Sequence, residues 1–130
     1  MVNLNTPQLI AQHYPLYLTQ KNFVGWRALF HETANIVRLE KNAQVEVFGL
    51  NDCVKEQQTY ALQAKVFTET WSEVSVQQQG EIAIIKANYL LIADREQREG
   101  LDVLVVAQTE QGWRIMSLFY EQTQFTLLER

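Results

Sequence analysis

The chain has a single cysteine, Cys53, among its 130 residues. An intrachain disulfide is therefore excluded, and we expect Cys53 to be a small, partly buried side chain in a reducing compartment. Its two histidines and one cysteine have no metal-ligand spacing, so we predict no metal site and expect no cofactor. With five glycines the chain has no phosphate-binding glycine-rich loop, and the G-x-S-x-G pattern of serine hydrolases is absent.

Basic clusters and long apolar runs are also missing. Eleven Lys and Arg against fifteen Asp and Glu give a net charge of −4, which argues against nucleic-acid or anionic-membrane partners. No apolar run approaches the roughly 18 residues of a membrane span, and the N-terminus lacks the features of a signal peptide. We therefore expect a cytoplasmic protein. The length, with 47% hydrophobic and 20% charged residues, predicts one globular domain over residues 1–130.

The first half of the chain has the periodicity of helices. Thr6 suits the N-cap of the first helix and Pro7 its first position, because the missing N–H of proline costs nothing there. Pro15 lies inside the same apolar repeat and predicts a kink or a break. Asn51 or Asp52 can cap a third helix. The helices are predicted over residues 7–18, 22–30 and about 51–64.

The second half reads mostly as strands. Two short strands are expected around a turn at Lys41 and Asn42, and four longer strands follow the third helix. The charged segment ADREQREG (residues 93–100) is predicted to be a loop. The strands are predicted over residues 36–39, 44–48, 66–76, 81–94, 101–109 and 113–123. This order indicates an α+β fold, with three helices from the N-terminal half on one face of a mostly antiparallel sheet.

The longer strands are apolar on both faces. In residues 82–92, Ile82 and Ile84 lie on one face, while Ile85 and Leu91 lie on the other. A sheet with one wet face should alternate apolar and polar residues. Three helices cover only one face, and symmetric homodimers are the commonest assemblies. We therefore expect a homodimer packed through the sheet.

Three segments resemble the nuclear transport factor 2-like superfamily, in its SnoaL-like and ketosteroid-isomerase-like branch. WRALFHETANIVRL (residues 26–39) is similar to the helix-to-strand junction of that superfamily. FGLNDCVKE (residues 48–56) resembles the start of its third helix, and EQGWRIMSLFYE (residues 110–121) resembles its closing strand. The resemblance implies a cone-shaped roll, in which a strongly curved sheet wraps around helices and leaves a pocket for small apolar molecules. It spans nearly the whole chain and says little about activity.

The resemblance carries over unevenly to the catalytic residues of the isomerase branch. Arg38 stands where those enzymes have their general base, and a guanidinium cannot abstract a proton near neutral pH. Tyr14 is similar to the tyrosine that holds the substrate oxygen. Asp102 resembles the acid on the strand before the final hairpin, which an apolar cavity keeps protonated. Arg38 could instead be a surface side chain or pair with a structural carboxylate, pair with Asp102 across the cone, or bind an anionic ligand group.

Further side chains are candidates for the pocket. Glu69 and Glu73 flank Trp71 on one strand face and could be paired carboxylates, although a solvated face is the simpler interpretation. His31 and Glu32 are interpreted as the end of a helix, where the dipole favours a histidine. Aromatic side chains are the other candidates for lining the pocket and orienting a ligand. These are Tyr14, Tyr17, Trp26, Tyr60, Trp71 and Tyr120.

Three functions remain open on the sequence. The first is a protein that binds a small apolar or weakly anionic molecule in a pocket edged by Tyr14, Arg38 and Asp102. The second is an acid–base enzyme acting on a small carbonyl or polyketide-like substrate through Asp102 and a tyrosine. The third is a protein-interaction module. We favour the first because the position of the expected base holds arginine.

Overall fold

A computed structural model describes residues 3–129. The described chain has two α-helices, two β-strands, a third α-helix and four further β-strands in that order, and a short 3-10 turn at Lys41–Ala43 lies between the first two strands. The helices are α1 (Pro7–Thr19), α2 (Phe23–Ala28) and α3 (Leu50–Leu62). The strands are β1 (Phe30–Leu39), β2 (Val45–Gly49), β3 (Phe67–Gln79), β4 (Ile82–Ala93), β5 (Glu96–Thr109) and β6 (Gly112–Leu127).

The strands form one curled sheet in the order β2-β1-β6-β5-β4-β3. Strands β1 and β6 are parallel, and every other neighbouring pair is antiparallel. Bulges interrupt the β1–β6, β3–β4 and β5–β6 ladders, and a bulge bends a strand and increases its twist. The predicted α+β architecture, with helices on a mostly antiparallel sheet, is confirmed.

The core lies between the helices and the inner face of the sheet. Strand β4 shows the alternation clearly, because Ala83, Ile85 and Tyr89 are buried while Ile82 and Ile84 are exposed. Helix α1 buries the same side of successive turns against this face, through Ile10, Tyr14 and Leu18. Aromatic rings pack edge to face in the core, with Trp26 and Phe30 centred 4.9 Å apart.

The charged segment that was predicted to be a loop is mostly strand. Strand β5 begins at Glu96, and the connection from β4 is a tight turn at Asp94 and Arg95. Asp94 has a left-handed backbone (φ +54°), and its carboxylate accepts hydrogen bonds from the backbone N–H groups of Lys65 and Val66. The loop prediction was wrong because alternate charged side chains of β5, such as Arg98, point to partners and not freely to water.

Two local predictions for the first third of the chain also need correction. Helix α2 ends at Ala28, so His31 and Glu32 lie within strand β1 and not at a helix end. Helix α1 runs unbroken through Pro15. Thr6 occupies the N-cap position of α1, but its side chain makes no capping hydrogen bond.

None of the helices within residues 3–129 combines the length and apolarity needed to cross a bilayer.

A candidate ligand-binding cavity

A cavity of about 680 Å³ opens between the helices and the inner face of the sheet. Helix α3 forms one side through Cys53 and Gln57, and the segment that joins β1 to β2 forms part of the rim. Aromatic side chains supply much of the wall, a composition typical of sites for small organic molecules. These aromatic residues are Tyr14, Trp26, Tyr60, Tyr89 and Tyr120.

The register of the sheet brings the polar residues of the wall together. Arg38 on β1 is opposite Tyr120 on β6, and Tyr120 is opposite Asp102 on β5. Asp102 is in turn opposite Ala87 on β4, whose small side chain adds little bulk at this point. Three cavity residues from three parts of the chain thus lie in one row across the sheet.

Gly100 makes room for an aromatic ring in the next row. It lies opposite Tyr89, and a Cβ atom built on Gly100 would be 2.6 Å from the Tyr89 hydroxyl oxygen and would also meet the backbone carbonyl of Glu121. Only glycine therefore allows the Tyr89 ring to lie across this part of β5.

Two carboxylates are buried in the cavity wall. Asp102 is 4% exposed and Glu69 is 9% exposed. The indole Nε1–H of Trp71 donates a hydrogen bond to Asp102 Oδ2 at 3.0 Å. Glu69 Oε2 has no hydrogen-bond partner, and neither does Nε1 of Trp26 on the same wall. Among the described residues, the ion pairs involve Arg38 and Arg98, and none involves Asp102 or Glu69.

Burial governs the protonation of this pair. It raises the pKa of Asp102 to about 7, against the opposing effect of the hydrogen bond from Trp71. Burial also raises the pKa of Glu69 well above its usual range, and the nearby charge of Asp102 raises it further, against the opposing effect of a hydrogen bond with Trp71. The pKa of the Tyr14 hydroxyl is raised in the same way, by burial and then by the charges of Asp102 and Glu69. The interior of the cavity therefore resists negative charge.

Arg38 lies at the rim and is held by carboxylates other than Asp102. Its guanidinium forms ion pairs with three acidic side chains and stacks over the ring of Phe48. It also donates a hydrogen bond to the Tyr120 hydroxyl at 3.1 Å. The acidic partners are Glu40 (3.2 Å), Glu46 and Glu56 (2.7 Å). Since these groups neutralise Arg38, the arrangement offers little net positive charge to an anionic ligand.

A second arginine, Arg98, lies on the cavity wall and was not singled out from the sequence. Its Nε–H donates to the Tyr60 hydroxyl at 3.1 Å, and its terminal N–H groups donate to Gln122 and Glu96, each at 2.8 Å. The Tyr60 hydroxyl itself donates to Glu96 at 3.0 Å. Arg98 lies in the segment ADREQREG (residues 93–100), whose alternate side chains point inward in the strand. Because this segment was predicted to be a loop, that alternation was not used to identify Arg98.

The predicted aromatic residues divide between the wall and its support. Tyr14, Trp26, Tyr60 and Tyr120 line the cavity, together with the predicted Arg38 and Asp102. Trp71 does not line it, but its ring stacks on Tyr14 with centroids 4.7 Å apart while its N–H holds Asp102. Tyr17 is also away from the wall and contacts the ring of His13.

Glu69 and Glu73 do not share a face, because a bulge separates them. The β3–β4 register shifts between Ser72 and Ser75, and Glu73 has a left-handed backbone (φ +51°). Glu69 therefore points into the cavity, whereas Glu73 is exposed and accepts a hydrogen bond from Asn88 at 2.7 Å. The simpler interpretation of a solvated strand face was wrong for Glu69, and sequence alone gave no sign of the bulge.

The histidines are remote from the carboxylate pair. Nδ1 of His31 is 2.7 Å from the Thr33 hydroxyl oxygen, and Nδ1 of His13 is 2.8 Å from the Leu9 carbonyl oxygen. Neither histidine lines the cavity. Across residues 3–129, no three His, Cys, Asp or Glu side chains converge as metal ligands would.

The fold matches solved structures, although the sequence identities are low. A Kribbella flavida protein is 15% identical with a TM-score of 0.76, over 90% of this chain and 88% of that one. A Novosphingobium aromaticivorans protein provisionally named a scytalone dehydratase is 14% identical with a TM-score of 0.73, over 95% and 85%. A Streptomyces avermitilis protein, provisionally named a dehydratase of the nuclear transport factor 2-like family, is 13% identical with a TM-score of 0.67, over 90% and 93%.

These likenesses establish the fold. The chain has the nuclear transport factor 2-like fold, as the sequence resemblance implied. No family model matches the sequence, and no curated protein matches it. At identities below one fifth, the activities in the names of these structures belong to those proteins.

Proposed function

We propose that this protein binds a small, largely apolar molecule in the cavity. The observation that carries the proposal is the pair of unpartnered polar atoms on the wall, the acceptor Glu69 Oε2 and the donor Trp26 Nε1. A buried polar atom without a partner costs about 1–3 kcal/mol, so a molecule that supplies a partner to either atom would recover that energy on binding. The aromatic wall supplies the apolar contact.

The binding proposal is tested by blocking the cavity from α3. Gln57 lies on the wall and is half-buried, whereas its neighbour Gln58 is exposed and outside the cavity. Fragments found by ligand-observed NMR should bind the wild type and Gln58→Trp alike. They should bind Gln57→Trp at least about tenfold more weakly, because the indole fills the space. Equal binding to all three proteins would refute the proposal.

A second candidate, an acid–base enzyme, is favoured by the buried carboxylate pair. An acid that is protonated and a base that is ionised near neutral pH are the requirements for proton transfer to and from a substrate. Asp102 and Glu69 face one cavity, and the charge of Asp102 hinders the ionisation of Glu69. Glu69 on β3, and not Arg38, is the group that would serve with Asp102. This candidate requires Asp102 to titrate close to neutral pH.

We also propose that two copies of the chain pair through the outer face of the sheet. This face carries an apolar row in which Val103, Phe119, Val37 and Val47 are consecutive cross-strand partners. Phe119 and Val47 of this row are exposed, and so are Ile82, Ile84 and Val45 beside it. An apolar surface of this kind is usually covered by a partner. A two-fold axis through it would cover the same surface on both copies.

A further inference from the structure

The acidic and basic side chains that line the cavity differ in whether they have ion-pair partners. Two carboxylates lie in its wall without a cationic partner among the described residues. The cations on the wall and rim are Arg38, Arg98 and Lys41. Arg38 is held by its three acidic partners and Arg98 by Glu96, while Lys41 is exposed on the segment after β1. A ligand that binds next to Glu69 and Asp102 therefore does not compete with a cationic side chain of the described residues.

Aromatic side chains line the same cavity. Tyr14 from α1, Trp26 from α2, Tyr89 from β4 and Tyr120 from β6 contribute to the wall. The faces of aromatic rings carry partial negative charge and attract an organic cation, more strongly where water is excluded. Carboxylates and aromatic rings together are a suitable environment for an ammonium group on an apolar body. An anionic group would meet the opposite field.

We infer that the ligand of this cavity is an organic amine, bound in its protonated form with the ammonium group on Glu69 and its apolar part against the aromatic wall. Glu69 is the anchor because its Oε2 atom is buried and has no hydrogen-bond partner. Asp102 already accepts a hydrogen bond from Trp71 and adds charge beside the anchor. The unpartnered N–H of Trp26 would bind an acceptor on the same ligand. This inference rests on the proposed binding function and specifies its ligand class.

Proton release should accompany the binding of the amine. In the empty cavity burial favours the protonated carboxyls, and an ammonium group favours the ionised ones. The groups facing the pair are Tyr14, Cys53, Tyr89 and Tyr120, whose pKa values burial raises, so they stay neutral below pH 8. The charged groups beyond them are Arg38 with Glu40, Glu46 and Glu56, and Arg98 with Glu96. Changes in binding between pH 5 and 8 would thus report on Glu69 and Asp102.

Three probes of similar shape and different charge test the inference. Isothermal titration calorimetry compares benzylamine, benzyl alcohol and benzoate at neutral pH. Benzylamine should bind about tenfold more tightly than benzyl alcohol, as expected for a hydrogen bond to a charged group, and benzoate more weakly than either. Repeating the benzylamine titration in two buffers of different ionisation enthalpy should show proton release. Binding of benzylamine should strengthen as the pH rises from 5 to 8.

Variants separate the anchor from general effects of charge. Glu69→Gln should abolish most of the preference for benzylamine over benzyl alcohol, whereas Glu73→Gln, an exposed carboxylate on the same strand, should leave it unchanged. Asp102→Asn should reduce the preference and serves as a second test if Glu69→Gln fails to fold. If benzyl alcohol or benzoate binds as tightly as benzylamine, and Gln57→Trp blocks that binding, the amine inference fails and the binding function stands. If none of the three probes binds, the inference is overturned, while the fragment screen still decides the binding function.

Discussion

At the scale of single residues, surroundings decide what a carboxyl group does in this protein. Glu73 and Glu69 are four residues apart on one strand, yet one is solvated and the other buried. Asp102 has one N–H donor, from Trp71, to offset the loss of water. Where the hydrogen bonds to a buried carboxylate are so few, burial prevails and the proton is held more tightly.

Asp102→Asn is expected to change how stability depends on pH. Since the folded-state pKa of Asp102 is raised from 3.8 to about 7, the folded chain binds the proton more tightly than the unfolded chain does. Its contribution to stability is therefore complete below about pH 4 and is lost as the pH rises to about 7. The loss is on the order of 4 kcal/mol at most, because one pKa unit corresponds to about 1.4 kcal/mol.

Urea unfolding at several pH values measures this effect. The wild type should lose free energy of unfolding, relative to Asp102→Asn, as the pH increases from 4 to 7. Glu73→Gln should follow the wild-type curve, because that carboxylate is exposed. Parallel curves for the wild type and Asp102→Asn would show that Asp102 titrates as an ordinary carboxyl, and the acid–base candidate would then lose its basis.

At the scale of elements, α1 holds together in spite of a proline in its interior. Pro15 removes one backbone hydrogen bond, and its ring crowds the carbonyl of Ala11, one turn earlier. The apolar face made by Ile10, Tyr14 and Leu18 is buried on both sides of this position. Helices in proteins are stabilised mainly by such packing, which here outweighs the local cost.

The two prolines of α1 provide a matched pair of variants. Pro15→Ala should stabilise the protein by roughly 1–3 kcal/mol, because alanine restores the hydrogen bond and removes the clash, less the entropy that proline takes from the unfolded chain. Pro7→Ala should destabilise it, since Pro7 is buried at the first helical position, where proline fits. Urea unfolding of both variants checks the opposite signs, and a destabilising Pro15→Ala would contradict this view of α1.

At the scale of the whole molecule, the two faces of the sheet are both apolar but differ in what covers them. The inner face packs on the helices and encloses the cavity. The outer face keeps Ile84 and Phe119 each 38% exposed. Exposed polar side chains such as Lys86 and Glu121 lie beside the apolar residues of the outer face. In the proposed dimer they would set the orientation of the second copy.

The proposed dimer is tested by placing charge on the outer face. Wild-type protein should sediment as a dimer at micromolar concentration, whereas Ile84→Glu and Phe119→Lys should sediment as monomers with unchanged circular dichroism. Val24→Glu is the control, because Val24 is 84% exposed on α2, away from the sheet. A wild-type monomer at this concentration would refute the proposed dimer.

Local pattern was enough to predict most of the architecture. Apolar residues at helical spacing and runs of β-branched residues indicated every helix and strand, but missed the first six residues of β1 and the start of β5, and wrongly predicted a kink or break at Pro15. These signals are local, because they depend on the period at which side chains meet one face. The family resemblance implied a pocket, and six aromatic residues were candidates for its lining. Tyr14, Trp26, Tyr60 and Tyr120 line the cavity, whereas Tyr17 and Trp71 do not.

The pairing of the polar groups was decided only by the tertiary structure. The bulge in β3 turns Glu69 inward and Glu73 outward, and the register of β1, β6 and β5 sets Tyr120 between Arg38 and Asp102. Both depend on how neighbouring strands pair, and β1 and β6 are also far apart in the chain, so no local period encodes them. The amino-acid sequence by itself determined helices on one face of a mostly antiparallel sheet, and the family resemblance implied the curvature of the sheet and the pocket. The tertiary structure decided that, among residues 3–129, Asp102 and Glu69 lie in the cavity wall without an ion-pair partner, whereas Arg38 and Arg98 are paired.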